Sequence, residues 1–392
     1  MSIFVLMNLP KKLKSKLLFR EENKSLRQLS VQNNLVDFSS NDYLGFAKSA
    51  AIFNQTHQFL VDNNLKINGA TGSRLLSGNH NLYNKVETFL ADFHQVETVL
   101  IFNSGYDANI GFFSSVPQKG DIILYDEFIH ASIRDGIRLS NAKSFKFKHN
   151  NLEELEEKIL RQAQNDKYNQ TDIGEIYVVT ESVFSMDGDS PDLVKMVQIA
   201  KKHNAFFIVD EAHAIGVFGN KGCGKIQKLN LENDVFARII TFGKALGCHG
   251  AAILGSADLK SFLINFARSF IYTTGLSPHS LATIQTCYSV MKNEEKHQKR
   301  LLKNITFFIS EIKKNNLENL FIKSNSAIHC CVISGNENVK SIAKKLHEKG
   351  FDVKAVLSPT VAKNRERLRF CLHSYNSEAE IKEVLHLLAT FV

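Results

Sequence analysis

The chain has 392 residues, 44% hydrophobic and 22% charged, with a formal net charge of +8. That length is enough for two domains around a large core, and the composition is that of an ordinary soluble globular protein. No run approaches the roughly 20 apolar residues of a membrane helix, and the scattered lysines form no basic run that would single out nucleic acid over polyanionic cofactors.

Residues 8–30 read as a basic amphipathic helix, with Leu9, Leu13, Leu17 and Leu18 at helical spacing. Ahead of it, Ile3-Phe4-Val5-Leu6 is too short for a signal-peptide core, and Met7 is an alternative start. The six cysteines form no Cys-x-x-Cys pair, which argues against a zinc ribbon or redox motif and for free thiols in a reducing compartment. The expected location is the cytoplasm, and no metal is expected.

A second helix is expected over 81–95, with Leu82, Val86, Phe89, Leu90 and Phe93 on one face. From residue 97, apolar runs alternate with helical stretches. Strands are predicted at 97–102, 121–125, 144–148, 175–180, 205–209, 238–242 and 250–254. Helices are predicted near 104–115, 130–140, 151–164 and 191–203. This alternation indicates βαβ units, an α/β class and a mainly parallel sheet covered on both faces. After about residue 285 a long polar helix (290–315) precedes strands near 327–334, 351–356 and 367–373. Helices near 338–349 and 377–391 complete a smaller α+β unit. The expected division is an N-terminal helix and arm (1–48), a large domain (49–285) and a small domain (286–392).

Ligands of such sheets lie at the carboxyl ends of the strands, and the chemically suggestive residues fall there. Phe206-Phe207-Ile208-Val209 delivers Asp210 and then His213, and Ile239-Ile240-Thr241-Phe242 delivers Lys244. A carboxylate and a lysine at neighbouring strand ends suit pyridoxal phosphate (PLP). The lysine forms a Schiff base, and the carboxylate keeps the pyridine nitrogen protonated. Alone, Asp210 reads as a helix cap or a sheet-edge polar residue and Lys244 as a surface charge. Asn103-Ser104-Gly105-Tyr106 opens a helix after a strand, which suits a phosphate or an ordinary N-cap. His130 is placed to stack on a ring or merely to open a helix. Ser185 lies in a polar loop closed by Asp187-Gly188-Asp189, read as a turn before a metal site. Arg367-Leu368-Arg369-Phe370 is an alternating strand on which an arginine suits a substrate carboxylate or a surface position. Gly219–Ile226 resembles a phosphate loop, but Ile226 occupies the hydroxyl position.

Taken together, FSSNDYLG (38–45), NGATGSRLLSG (68–78), ESVFSMDGDSP (181–191), VDEAHAIGVFG (209–219), TFGKALGCHGAA (241–252), FIYTTGLSPH (270–279) and RLRFCLH (367–373) closely resemble the α-oxoamine synthases. The resemblance implies a PLP-dependent transferase of fold type I and a homodimer with active sites at the subunit interface. It implies that Lys244 carries PLP, Asp210 pairs with its ring nitrogen and His130 stacks on the ring. Ser104, Gly105, Tyr106, Ser185, His213 and Thr241 are implied cofactor contacts, with Thr273 or Thr274 reaching the phosphate from the other subunit. Arg27, Asn41, His130, Thr360 and Arg367 are implied on the substrate side. The implied substrates are an amino acid, L-alanine, and an acyl thioester, pimeloyl on coenzyme A or acyl carrier protein, with loss of CO2, as in biotin biosynthesis. Glycine C-acetyltransferase, serine palmitoyltransferase and 5-aminolevulinate synthase activities stay open within the family, and a nucleotide-binding module using 219–226 stays open outside it. Glu211 stands where an Asp is frequent, Arg74 where a histidine is usual, and Cys248-His249 where small residues are usual.

Overall fold

The computed structural model describes residues 9–23, 25–26, 29, 34–169 and 174–392. In chain order, α1 (Lys11–Glu22), β1 (Val36–Asp37), α2 (Ala50–Asp62) and α3 (Asn81–His94) come first. The α/β region follows with β2 (Thr98–Phe102), α4 (Gly105–Ser115), β3 (Ile122–Asp126), α5 (Ala131–Leu139), β4 (Lys143–Phe147) and α6 (Leu152–Asn169). It continues with β5 (Ile176–Glu181), α7 (Leu193–Lys202), β6 (Phe206–Asp210), α8 (Lys225–Lys228), β7 (Ala237–Thr241) and β8 (Ala251–Gly255). Four helices, α9 (Ala257–Phe266), α10 (Arg268–Ile271), α11 (Pro278–Asn293) and α12 (Lys296–Lys314), lead to the C-terminal part. There β9 (Ile328–Val332), α13 (Asn336–Glu348), β10 (Phe351–Asp352), β11 (Lys354–Val356), β12 (Arg367–Cys371) and α14 (Glu378–Phe391) close the chain.

Among the described residues seven strands form one sheet in the order β2-β8-β7-β6-β5-β3-β4. β8 runs antiparallel to both its neighbours and the other strands are mutually parallel. The central strands are buried throughout because helices cover both faces, which is why they read as unbroken Val/Ile runs. β4 (KSFKF) is one of the two edges, exposed and lysine-bearing, a composition that blunts pairing with another sheet. The C-terminal strands form an antiparallel sheet in the order β11-β12-β9.

The segment after residue 34 is stitched to that C-terminal sheet. β1 pairs in parallel with β10. The Cys371 amide donates to the Phe38 carbonyl at 2.8 Å and the Ser374 amide to the Tyr43 carbonyl at 2.8 Å. These bonds hold Asn41 and Tyr43 beside β12.

Several expectations need correction. The helix expected over 290–315 is two helices broken at Glu294–Glu295. The strand expected over 351–356 splits at Val353, β10 pairing with β1 and β11 with β12. α2 and α9 carry no strong periodic signal and were not expected. The N-terminal helix is shorter than 8–30 and buries none of its residues, leaving Leu13 and Leu17 about half exposed. No helix among the described residues is long and apolar enough to cross a membrane.

Candidate active site

β5, β6 and β7 end side by side, so Glu181, Asp210 and Thr241 share one rim of the sheet. After β7 the chain turns sharply. The Gly247 amide donates to the Lys244 carbonyl at 2.8 Å, and the Cys248 amide to the Phe242 carbonyl at 2.8 Å. Gly247 has φ +59°, and an added Cβ would stand 2.2 Å from the Ala47 amide nitrogen. The turn therefore lies directly on the segment that carries Asn41 and Tyr43.

Lys244 Nζ lies 2.8 Å from His213 Nε2. His213 Nδ1 lies 2.7 Å from the Tyr43 hydroxyl, which donates to Asn41 Oδ1 at 3.2 Å. Asn41 Oδ1 also accepts from Arg369 at 3.0 Å. A hydroxyl has one proton, so a Tyr43 that donates to Asn41 accepts from His213 Nδ1–H. His213 Nε2 is then left to accept from Lys244. Burial, then the Lys244, Arg369 and His130 charges, push the His213 pKa well below the usual imidazole value, consistent with that neutral tautomer. Burial also lowers the Lys244 amine to about 8 against the opposing pull of Asp210 and Glu181, with Arg369 assisting.

Asp210 is buried at the end of β6. Its Oδ1 accepts from the Ala212 amide at 2.8 Å and its Oδ2 from Asn109 Nδ2 at 3.0 Å. Asn109 also donates to Ser132 Oγ at 3.0 Å, and Ser132 Oγ lies 2.7 Å from His130 Nδ1. His130 caps α5, accepting from the Ser132 amide, and stays exposed to the cavity. Burial of its inner edge lowers its pKa, helped by Lys244 and opposed by Asp210.

α4 starts at Gly105 with Ser104 as its N-cap, accepting from the Asp107 amide. A Cβ on Gly105 would stand at an ordinary contact distance of 3.7 Å from Thr241, so the helix N-terminus lies beside the Thr241 hydroxyl. Asn103 Nδ2 donates to Thr273 Oγ1 at 3.1 Å and to the Thr274 carbonyl at 2.5 Å, bringing that loop to the same helix end within one chain. Tyr106 is half exposed and donates to Asp135.

A cavity of about 710 Å³ opens on the His130 side of the site, lined by His130, Ser185, Thr360 and Arg367 together with Phe128 and Arg134. Arg367 is not free in it. Its guanidinium pairs with Asp187 at 2.5 Å and donates to the Met186 carbonyl at 3.0 Å. Arg369, two residues on and on the same strand face, is the arginine that reaches Asn41 and the Ser185 carbonyl. Arg27 lies outside the described residues.

Other singled-out residues are structural. Arg74 pairs with Glu87 at 2.6 Å and lies 3.8 Å over the Tyr83 ring. His249 is exposed. The amides of Lys225 and Ile226 in the glycine-rich loop donate to Glu211, which also pairs with Arg238. The amides that follow the last glycine, where a phosphate loop would use them, are therefore already taken by a carboxylate, and the longer Glu211 side chain has a clear use. In the Asp187–Asp189 turn, Asp187 pairs with Arg367 and Asp189 Oδ2 lies 2.8 Å from His149, while Asp189 Oδ1 is buried without a partner. Among the described residues no group of three or more His, Cys, Asp or Glu side chains is placed to hold one.

The rim fits PLP. It combines an amine of lowered pKa, a buried carboxylate on the neighbouring strand, an open helix N-terminus beside a hydroxyl, and one buried carboxyl oxygen, Glu181 Oε1, with no partner. Tyr43, Asn109 and Glu181 were not singled out from the sequence, and of the two arginines on the 367–370 strand the resemblance selected Arg367 and not Arg369. For Arg369 a signal existed, since strand alternation puts it on the same face as Arg367.

The chain matches the aminotransferase class I and II family over residues 33–388. An 8-amino-7-oxononanoate synthase of Emericella nidulans is 39% identical, covering 95% of this chain and 93% of its own. One of Lysinibacillus sphaericus is 35% identical, covering 89% of this chain and 86% of its own. Among solved structures, the serine palmitoyltransferase of Sphingomonas wittichii superposes with TM-score 0.87 at 25% identity, covering 98% of both chains. The 8-amino-7-oxononanoate synthase of Francisella tularensis superposes with TM-score 0.74 at 29% identity, covering 92% of this chain and 98% of its own.

Proposed function

The chain belongs to the aminotransferase class I and II family of PLP enzymes, and from that premise we propose that it is an 8-amino-7-oxononanoate synthase. The reaction joins L-alanine to a pimeloyl thioester of coenzyme A or acyl carrier protein, releasing CO2 and the free thiol, in biotin biosynthesis. The relatives named for that activity, similar over most of the chain, support the reading. The single observation that carries the site is Lys244, held 2.8 Å from His213 in the turn after β7, the strand that pairs with the Asp210 strand β6.

When bound, PLP supplies an electron sink for charge developing at the carbon next to the substrate nitrogen. Asp210 would pair with its ring nitrogen, Lys244 with its aldehyde and His130 with its ring face. His213 and Ser185 would contact the ring substituents. Ser104, Gly105, Tyr106 and Thr241 would hold its phosphate, with Thr273 or Thr274 of a second subunit in a cytoplasmic homodimer. Lys244, freed from that role, is the base for the α-proton, because an amine near pKa 8 is partly neutral at physiological pH. His213 accepts from Lys244 and fixes where its lone pair points. His130 is exposed to the cavity and supplies a donor for the thioester carbonyl. The acyl carbon–sulfur bond breaks as the new carbon–carbon bond forms. The original carboxyl then leaves as CO2, and a proton returns to the α-carbon. Asn41, Thr360 and Arg27 are assigned to the substrate side together with Arg367, which would reach a carboxylate through Nη2, the nitrogen outside its bonds to Asp187, Met186 and Arg365.

Mass spectrometry of products, after mixing the protein with PLP, a panel of amino acids and a panel of acyl thioesters, tests the proposal. The expected product is 8-amino-7-oxononanoate from alanine and a pimeloyl thioester. A product formed only from serine or glycine overturns it in favour of another condensing enzyme of the same kind.

A further inference from the structure

Glu181 and Asp210 stand opposite one another where β5 and β6 end. Strand alternation puts both on the sheet face that carries Tyr177, Val179 and Ile208. Both are buried, Glu181 at 3% exposure and Asp210 at 6%. Their surroundings differ. Asp210 accepts hydrogen bonds on both oxygens, from Ala212 and Asn109. The Glu181 carboxyl faces the His130 backbone N–H, yet its Oε1 is buried without any hydrogen-bond partner.

Two buried carboxyl groups at one rim do not both ionise cheaply, and the charge settles on the one with more donors. An acceptor with no donor is costly as an anion, whereas as an acid it holds a proton to give. Resting on the cofactor reading above, we infer that Glu181 is a positioning residue of the site. It stays a neutral carboxylic acid beside Asp210 and presents its O–H as a hydrogen-bond donor to the bound cofactor. Its electrostatic neighbours agree. Burial and then Asp210 push its pKa well above the usual carboxyl value, with a smaller push from Asp126 on β3. Lys244, from the turn after β7, and the His130 amide, at the start of α5, oppose that push without reversing it. An ionised Glu181 would instead place a second negative charge against Asp210 and leave nothing to donate.

Infrared spectroscopy of the cofactor-free protein at neutral pH tests the proton directly. The expected result is a protonated-carboxyl C=O band that E181Q lacks. A spectrum unchanged by E181Q overturns the inference. Titration with PLP tests the donor. E181L is expected to bind PLP about tenfold more weakly, the worth of one hydrogen bond. E181Q, which keeps a donor of the same shape, is expected to rescue binding to about twofold of the original. E181Q should also leave the pH midpoint of the visible PLP band in place, because it removes no charge. A midpoint shifted downward by about a unit in E181Q, or E181L binding like the original protein, overturns the inference. If E181L does not fold, the E181Q midpoint and the infrared band decide alone. A parent protein that binds no PLP overturns the cofactor reading itself, while the infrared band still reports the Glu181 proton.

Discussion

Lys244 holds the smallest unit of function here, and its lowered pKa gives it a measurable signature. Its amine is neutral above pH 8 and protonated below it, so capture of PLP by the cofactor-free protein should speed up as pH rises through about 8. Stopped-flow absorbance from pH 6 to 10 checks this. A flat profile would contradict an enclosed amine. Lys244→Ala should lower turnover by roughly 100- to 10,000-fold, the range for loss of a general base. Tyr43 is fully buried between His213 and Asn41. Tyr43→Phe strands the His213 donor, at a cost of about 1–3 kcal/mol, measurable by urea denaturation of the cofactor-free protein. At this scale the sequence was legible wherever a motif follows an apolar strand. Asp210, His213 and Lys244 are brought together as that reading required. Glu181 was not legible as functional, and Arg369 was legible only as one of two arginines on an alternating strand. Their surroundings come from elements roughly 30 to 330 residues away, and a strand residue carries no mark of which partner it will face.

The elements carry their own tests. His149 sits between Asp126 at the end of β3 and Asp189 in the Ser185 loop, at 2.9 and 2.8 Å. Burial works against its charge, but the two carboxylates prevail and raise its pKa from 6.5 to about 10. A raised imidazole binds its proton more tightly when folded. Its contribution to stability is therefore complete below pH 6.5 and fades as pH climbs through about 10. The difference in melting temperature between the parent protein and His149→Gln should be largest near pH 6 and shrink toward pH 10. A difference constant across that range would exclude the charged bridge. Gly247→Ala drives a Cβ into the Ala47 backbone at a positive φ. It should cost more than about 1 kcal/mol and also lower PLP loading, because the same turn presents Lys244. Strand existence was readable from the Val/Ile runs, and each central strand lies within a residue or two of its expected bounds. The failures have physical causes. The break at Glu294–Glu295 contains neither Gly nor Pro, so the polar pattern runs through it. The split at Val353 is imposed by two different partner strands.

At the level of the whole molecule, the Thr273–Thr274 loop raises the question of assembly. It packs on the 72–78 loop, with the Gly275 amide donating to the Gly72 carbonyl at 3.0 Å. Around that contact Leu75, Leu76 and Tyr272 expose 49%, 84% and 73% of their surface. A bunched apolar surface beside a cofactor rim is what a second subunit would cover, and it supports the proposed homodimer. Sedimentation equilibrium should then return twice the 44.2 kDa chain mass. Leu76→Glu places a charge in the middle of that surface and should shift the protein toward the monomer. If the second subunit completes the phosphate end of the site, the same variant should also lose PLP as it dissociates, although Leu76 belongs to no part of the rim. A monomeric Leu76→Glu that retains PLP with parental affinity would show that one chain suffices for the cofactor, with Thr273 serving the Asn103 end of its own α4.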